Sequence, residues 1–209
     1  MGANSAGAAL FQMWTRMLRD ELGRAEGPRP FPGSAARARF EGLIGRADSR
    51  ALARILAGGT RWCAATGRRS CREIALAALA RARWQLFKLT GRHAPAAWRW
   101  GAVHRADYAH IPFSRMKPLE RLFDRRIANG GSPDSISAAS ARFIEAEGFI
   151  QDFGPGFRQV IALGPRKTEH WYMNSTGQSG SVFSRHYDDM IVPFHRNLLY
   201  RLPPAARQP

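Results

Sequence analysis

The apolar residues of this chain change their spacing near Pro95, and that change divides what it can fold into. Before Pro95 they recur at three and four residues, the signature of one buried helix face. After it they gather in short runs broken by glycine and proline, as strands and turns do. A chain patterned this way is α+β: a helical N-terminal half, then a few β-strands and a short terminal helix. The boundaries read as a helical segment over 1–95, a β-rich part over 96–202 and a frayed tail over 203–209.

In the first half, Leu10, Phe11, Trp14, Met17, Leu18 and Leu22 define a helix from Ala8 to Leu22. Gly23 and the run Gly27-Pro28-Arg29-Pro30-Phe31-Pro32-Gly33 end it in a rigid loop. Helices follow from Ser34 to Ile44, with Phe40, Leu43 and Ile44 apolar, and from Ser49 to Ala57, closed by Gly58-Gly59. The best-defined helix runs from Ser70 to Thr90. Ser70 with Glu73 is a capping box, and Gly91 is suited to the left-handed stop. Its face reads as Ile74, Ala77, Ala78, Arg81, Trp84 and Phe87. Cys63 and Cys71 read as free thiols; the pair could bridge, but two cysteines make neither a disulfide framework nor a zinc cage.

In the second half, residues 112–134 read as a long irregular connection containing Asn129-Gly130-Gly131-Ser132-Pro133. Phe157–Leu163 reads as a strand between Gly154-Pro155-Gly156 and Gly164-Pro165, with Glu169–Asn174 as its hairpin partner across Arg166-Lys167. A last short helix is expected from His186 to Val192, after Ser184 and ended by Pro193. Only three or four strands are visible, widely separated, and they need more sheet than this chain supplies.

Thirty-two Lys+Arg face sixteen Asp+Glu, a net of +16. Residues 1–100 hold eighteen basic and six acidic residues, so the excess sits in the helical half. It is spread rather than clustered, and no zinc-finger, RNA-recognition or basic-zipper pattern accompanies it. Only Lys88, Lys117 and Lys167 are lysine, so the arginine-for-lysine usage also fits a codon bias. Nucleic-acid binding is therefore disfavoured, beyond weak, salt-sensitive attraction. No run of eighteen apolar residues exists to span a membrane. The N-terminus shows no charged leader before an apolar core, so the chain as encoded is expected in the cytoplasm.

Single motifs carry little chemistry. Gly177-Gln178-Ser179-Gly180 places its second glycine one residue too early for a nucleophile elbow and reads as a tight turn whose glycines take unusual φ values. His104 and His110, six apart, would share a strand face, and with His186 and Asp188 they could ligate a metal. Hydrogen-bonding histidines in a polar core are the commoner outcome of such spacing. Ser179, His104 and Asp188 supply the residue types of a triad, but inventory is not geometry.

Taken in order, the motifs say more. Trp100-Gly101-Ala102-Val103-His104, then His110-Ile111, resembles the "WG-x-x-H … HPL" segment of the penicillin acylase (penicillin amidase) family. Gly130-Gly131-Ser132-Pro133-Asp134-Ser135-Ile136-Ser137 is similar to its "GG…TVN" segment, and the stretch from Gly154 to Leu163 to its "GPSYRQVIDL" strand. Gly177-Gln178-Ser179-Gly180 with Ser184, His186, Tyr187 and Asp189 resembles its "GQSG-x-P-x-S-x-HY-x-D" signature. The resemblance runs over residues 98–202 and is one of pattern only in the helical half.

That resemblance implies an N-terminal-nucleophile hydrolase with an αββα sandwich, of which this chain is a fragment from the C-terminal part of the β chain. It implies a precursor cut into α and β chains, and relatives that are commonly periplasmic or secreted. The β chain's first serine attacks an amide with its own α-amino group as base. Here the nucleophile, the oxyanion donors and the calcium ligands have no counterpart; they belong upstream. Met1-Gly2 offers no side-chain nucleophile, and Ser5 is not in the family's Ser-Asn start context. Ala162 and Ser137 stand where many relatives carry an acidic residue and an asparagine. No catalytic residue and no metal ligand is carried over. Trp100, Gly101, His104, His110, Gly130, Gly131, Gly177, Gln178, Ser179, Gly180, His186, Tyr187 and Asp189 are expected to fix the sheet and its turns. The expected partner is the remainder of the acylase, its α chain and the N-terminal part of its β chain.

Overall fold

The structure is a computed structural model that describes residues 1–23, 34–58, 62–63, 70–165 and 167–203. The expected loop over 27–33, the Gly59 stop, Arg166 of the hairpin loop and the tail beyond residue 203 lie outside the described residues. The chain forms two compact units. One comprises Met1–Val103 with Ile144–Gly148, the other His104–Phe143 with Phe149–Pro209.

The first unit is helical. Helix α1 (Ala6–Gly23) starts where Ser5 Oγ accepts the N–H of Ala8 at 3.0 Å. Helices α2 (Ser34–Gly45) and α3 (Ser49–Gly58) follow, and Asp48 Oδ1 caps α3 by accepting the N–H of Ala51 at 2.7 Å. Helix α4 (Cys71–Thr90) carries the anticipated capping box: Ser70 Oγ accepts from Glu73 N at 3.2 Å, and Glu73 Oε2 accepts from Ser70 N at 2.7 Å. Gly91 closes it at φ 66°. Ser70→Ala removes one arm of this reciprocal cap and is expected to cost about 1 kcal/mol. A circular-dichroism melt should show a fall of roughly 2–4 °C.

The helix faces are rotated from those read in the sequence. On α1 the buried residues centre on Ala9, Met13, Met17 and Leu18, while the Trp14 indole reaches out to donate to Ala75 O at 3.0 Å. On α4 they are Ile74, Ala78, Ala82, Gln85 and Leu86, and Trp84 is 59% exposed. The alanines explain the rotation. Small residues let two helices approach closely, so the contact line follows them and the bulky aromatics move to its rim. Arg81 reaches Glu21 of α1 at 2.9 Å, and Gln85 Nε2 donates to Glu145 O at 2.6 Å. Cys63 and Cys71 are not free thiols: their sulfurs are bonded, across a Cα separation of 5.1 Å. Eight residues of spacing do not reveal this, because the bond depends on where the start of α4 lies against residue 63. A one-turn 3-10 helix (Pro95–Ala97) and the short α5 (Trp100–Val103) end the unit, and no described helix is long and apolar enough to cross a membrane.

The second unit holds two sheets. Strands β1 (His104–Tyr108) and β2 (Arg125–Ala128) pair antiparallel. With β3 (Ser140–Ile144) and β4 (Gly148–Phe153) they form a sheet of order β2-β1-β4-β3, in which β1 and β4 run parallel. Strands β5 (Phe157–Leu163), β6 (Thr168–Asn174) and β7 (Tyr200–Leu202) form an antiparallel sheet in that order. The β5–β6 hairpin matches the expected one. The strand number does not: short strands such as β2 and β7 present too few residues to show a period of two.

Two further expectations are corrected. Residues 112–134 are not an irregular connection but contain a 3-10 turn (Phe113–Arg115), helix α6 (Lys117–Phe123) and β2. Pro118 sits in the first turn of α6, where its missing N–H is harmless, and Asp124 Oδ1 ties the approach by accepting from His110 N and Ser114 Oγ. The last helix is α7 (Ile191–His195), not His186–Val192. Pro193 lies inside its first turns rather than ending it, and turns occupy the stretch before it.

Candidate functional site

A polar cluster of the second unit forms around Asn129, just past the end of β2. His104 at the head of β1 is buried and joins its Nδ1 to Asn129 O at 3.0 Å. Four residues along β1, the Tyr108 hydroxyl meets His195 Nε2 at 2.7 Å. His195, the last residue of α7, joins its Nδ1 to Asn129 Oδ1 at 2.5 Å. Asn129 Nδ2 then donates to Gln151 Oε1 on β4. Arg158 of β5 donates to Phe194 O and, at 3.1 Å, to Ser137 Oγ, with its guanidinium 3.8 Å over the Phe194 ring.

The electrostatics set the direction of the protons. Burial, and then the nearby charges of Arg158 and His104, push His195 down to about 4. Burial raises Tyr108 to about 12 against the pull of Arg158. At neutral pH the phenol is therefore protonated and the imidazole neutral. Tyr108 donates to His195 Nε2, the Nδ1–H of His195 donates to Asn129 Oδ1, and the Asn129 amide donates onward to Gln151. Burial also lowers His104, opposed by its bond to the Asn129 carbonyl. Every bond in this chain is used to join β1, β4 and α7, so the cluster acts as a bolt.

The sequence-selected residues fall at several places. Trp100 is buried in α5, where the Gly101 N–H donates to Ala3 O at 2.7 Å. His110 lies beyond the end of β1, not on its face with His104, and stacks on Phe113 at 5.0 Å. Gly130 follows Asn129, and Gly131 takes φ 77° with Ser137 O only 2.1 Å from where a Cβ would stand. Gly177 donates to Tyr187 O at 3.0 Å, and Ser179 N donates to His186 O at 3.0 Å. Gly177 and Gly180 do not take positive φ, contrary to expectation; Gly177 is needed because His186 O lies 1.9 Å from its would-be Cβ. Gln178 is exposed, and Gly180 has open space beside it.

His186 Nδ1 meets Asp189 Oδ2 at 2.8 Å on the surface. Tyr187 Oη donates to Phe123 O at 2.7 Å, beneath Arg125, which pairs with Asp188 at 2.5 Å. Ser179 Oγ accepts from Ser181 N at 3.1 Å. Ser179, His104 and Asp188 are thus each engaged with other partners and do not form a triad.

These turns, and His104 of the bolt, carry motif positions that the sequence displays in order. The sequence model of the penicillin amidase family matches residues 1–208. The chain belongs to the penicillin amidase family. A solved structure, thermostable penicillin G acylase from Alcaligenes faecalis, aligns with 95% of this chain at 19% identity and a TM-score of 0.41. The chain spans 35% of that acylase's length. No curated protein matches.

In this penicillin amidase family member, sequence reasoning found the turn glycines and His104 but missed Tyr108, Asn129, Gln151 and His195 as a set. Asn129 carried a signal, standing directly before Gly130-Gly131; His195 carried none. No group of three His, Cys, Asp or Glu side chains among the described residues could hold a metal ion.

Proposed function

We propose that this chain is the scaffolding, C-terminal part of an acylase-like amidohydrolase. Its substrates are linear acyl amides, such as β-lactam side chains or acyl-homoserine lactones. The attacking serine and the oxyanion donors come from polypeptide outside this chain. The observation that carries the reading is the family match over residues 1–208. The chemistry of the second unit supports it. The Tyr108 phenol is held protonated, the His195 imidazole serves Tyr108 and Asn129, and the hydroxyls of Ser135 and Ser179 serve backbone groups. Amide hydrolysis needs a nucleophile held beside a base and oxyanion donors.

The partner in this reading is the remainder of the acylase. Strand β5 supports it: Phe157, Val160, Ile161 and Leu163 are exposed on a strand that ends its sheet among the described residues and carries no lysine. The test is a chromogenic acyl-anilide assay on the purified chain. No turnover above background is expected, with activity appearing only on co-expression with the upstream reading frame. Sustained, serine-dependent turnover by the chain alone would falsify the reading.

A further inference from the structure

Asn129 is followed by Gly130. In such a pair the backbone nitrogen readily attacks the side-chain amide and closes a succinimide ring, because glycine puts no side chain beside the attacking atom. In an open chain the pair is chemically short-lived; here it is held. Asn129 is 4% exposed, and each of its four polar groups is engaged. Its N–H donates to His104 O at 3.0 Å, and its carbonyl accepts from His104 Nδ1 at 3.0 Å. Its Oδ1 accepts from His195 Nδ1 at 2.5 Å, and its Nδ2 donates to Gln151 Oε1. The backbone beyond Gly130 is pinned as well: Ser132 N donates to Ser135 Oγ at 2.9 Å, and Ser132 O accepts from Ala139 N at 3.2 Å.

We propose that Asn129-Gly130 is a self-modification site that the bolt keeps shut. When the bolt opens, solvent base removes the Gly130 N–H proton and the nitrogen attacks Asn129 Cγ. The Cγ–Nδ2 bond breaks, and the side-chain nitrogen takes a proton from solvent and leaves as ammonia. Water then opens the ring at one of its two carbonyls. Breaking the bond to Cγ gives aspartate; breaking the bond to the backbone carbonyl carbon gives isoaspartate. One water is consumed and one ammonia released, with no change of oxidation state. Neither product restores the four bonds. A carboxylate has no hydrogen to give Gln151, and isoaspartate inserts a methylene between the N–H and the C=O that both bind His104. The change is one-way, so it marks chains whose bolt has failed to close or has reopened. This inference stands apart from the amidase reading and does not depend on it.

The test is to incubate the full chain in mildly alkaline buffer, digest it with trypsin and follow peptide 127–142 by mass spectrometry. Asn129 is the one asparagine of that peptide, and Asn174-Ser175 at the end of β6 is the internal reference. A reaction that passes through an opened state tracks the population of that state, so conversion at Asn129 should be at least about tenfold faster in urea than in the folded wild type. Without urea, His195→Ala is expected to convert faster than the wild type at Asn129, with Asn174 unchanged. Tyr108→Phe deletes only the hydroxyl that orients His195 and should give a smaller rise, equally local. If His195→Ala does not fold, Tyr108→Phe carries the comparison. Folded wild type converting as fast as the chain in urea overturns the proposal. So do folded variants that convert at the wild-type rate, and so does a rise in Tyr108→Phe that Asn174 shares equally.

Discussion

Gly177→Ala is expected to destabilise the second unit by about 3 kcal/mol, whereas Gly180→Ala, three residues away, should cost under about 0.5 kcal/mol. The two glycines belong to one motif but meet different surroundings. A Cβ on Gly177 would stand 1.9 Å from His186 O and 2.5 Å from the Tyr187 carbonyl carbon. Both are backbone atoms, so no side chain can rotate away. Relief requires the 186–187 backbone to retreat, and that breaks the bonds from Gly177 N to Tyr187 O and from Ser179 N to His186 O. Each is worth roughly 1 kcal/mol net, and the overpacking strain adds to them. A Cβ on Gly180 meets nothing within 4 Å. Urea unfolding followed by near-ultraviolet circular dichroism separates the two variants. Equal midpoints for both would sink the argument that close approach, rather than turn conformation, selects the glycine.

This pair also marks how far the sequence could be read. The residue types of the Gly177–Gly180 turn, the order of motifs and the helical and β-rich halves were all visible, because each rests on local spacing. The reason for Gly177 was not visible, because it is a contact between segments nine residues apart. The capping box at Ser70 and the stop at Gly91 were legible in full, since every atom involved lies within one helical turn. The face of α4 was legible only in part. Ile74 and Ala78 are read onto it, but counting apolar residues adds Trp84 where the close approach of α1 selects Ala82 and Leu86. The bolt around Asn129 joins residues from 104 to 195, and no spacing rule relates an asparagine to a histidine 66 positions on. The Cys63–Cys71 bond fails in the same way.

Acidification should destabilise the second unit progressively between pH 6.5 and about 4, with His195 as a principal cause. In the folded chain this imidazole is held down to about 4, against 6.5 for a free histidine. The unfolded chain therefore binds more protons throughout that window, and stability must fall as pH falls. The contribution is fully present above 6.5 and is lost by the time pH has passed the folded value. Two and a half decades of pH would correspond to roughly 3 kcal/mol, which partial exposure of the ring reduces to about 1–2 kcal/mol. Protonation also has a structural consequence. A doubly protonated ring has no acceptor for the Tyr108 hydroxyl, so the Tyr108–His195 bond is lost at the same time as a second cation appears beside Arg158. His104 shifts in the same direction and adds to the slope. The surface carboxylates Glu120, Glu145 and Glu169 are all lowered by their basic neighbours. His195→Gln keeps a donor and an acceptor at the site but cannot titrate. Urea midpoints measured at half-unit steps from pH 7 to 4 should fall less steeply for this variant than for the wild type. Parallel slopes would show that His195 is not the group responsible, and would remove the electrostatic basis for the proton directions assigned to the bolt.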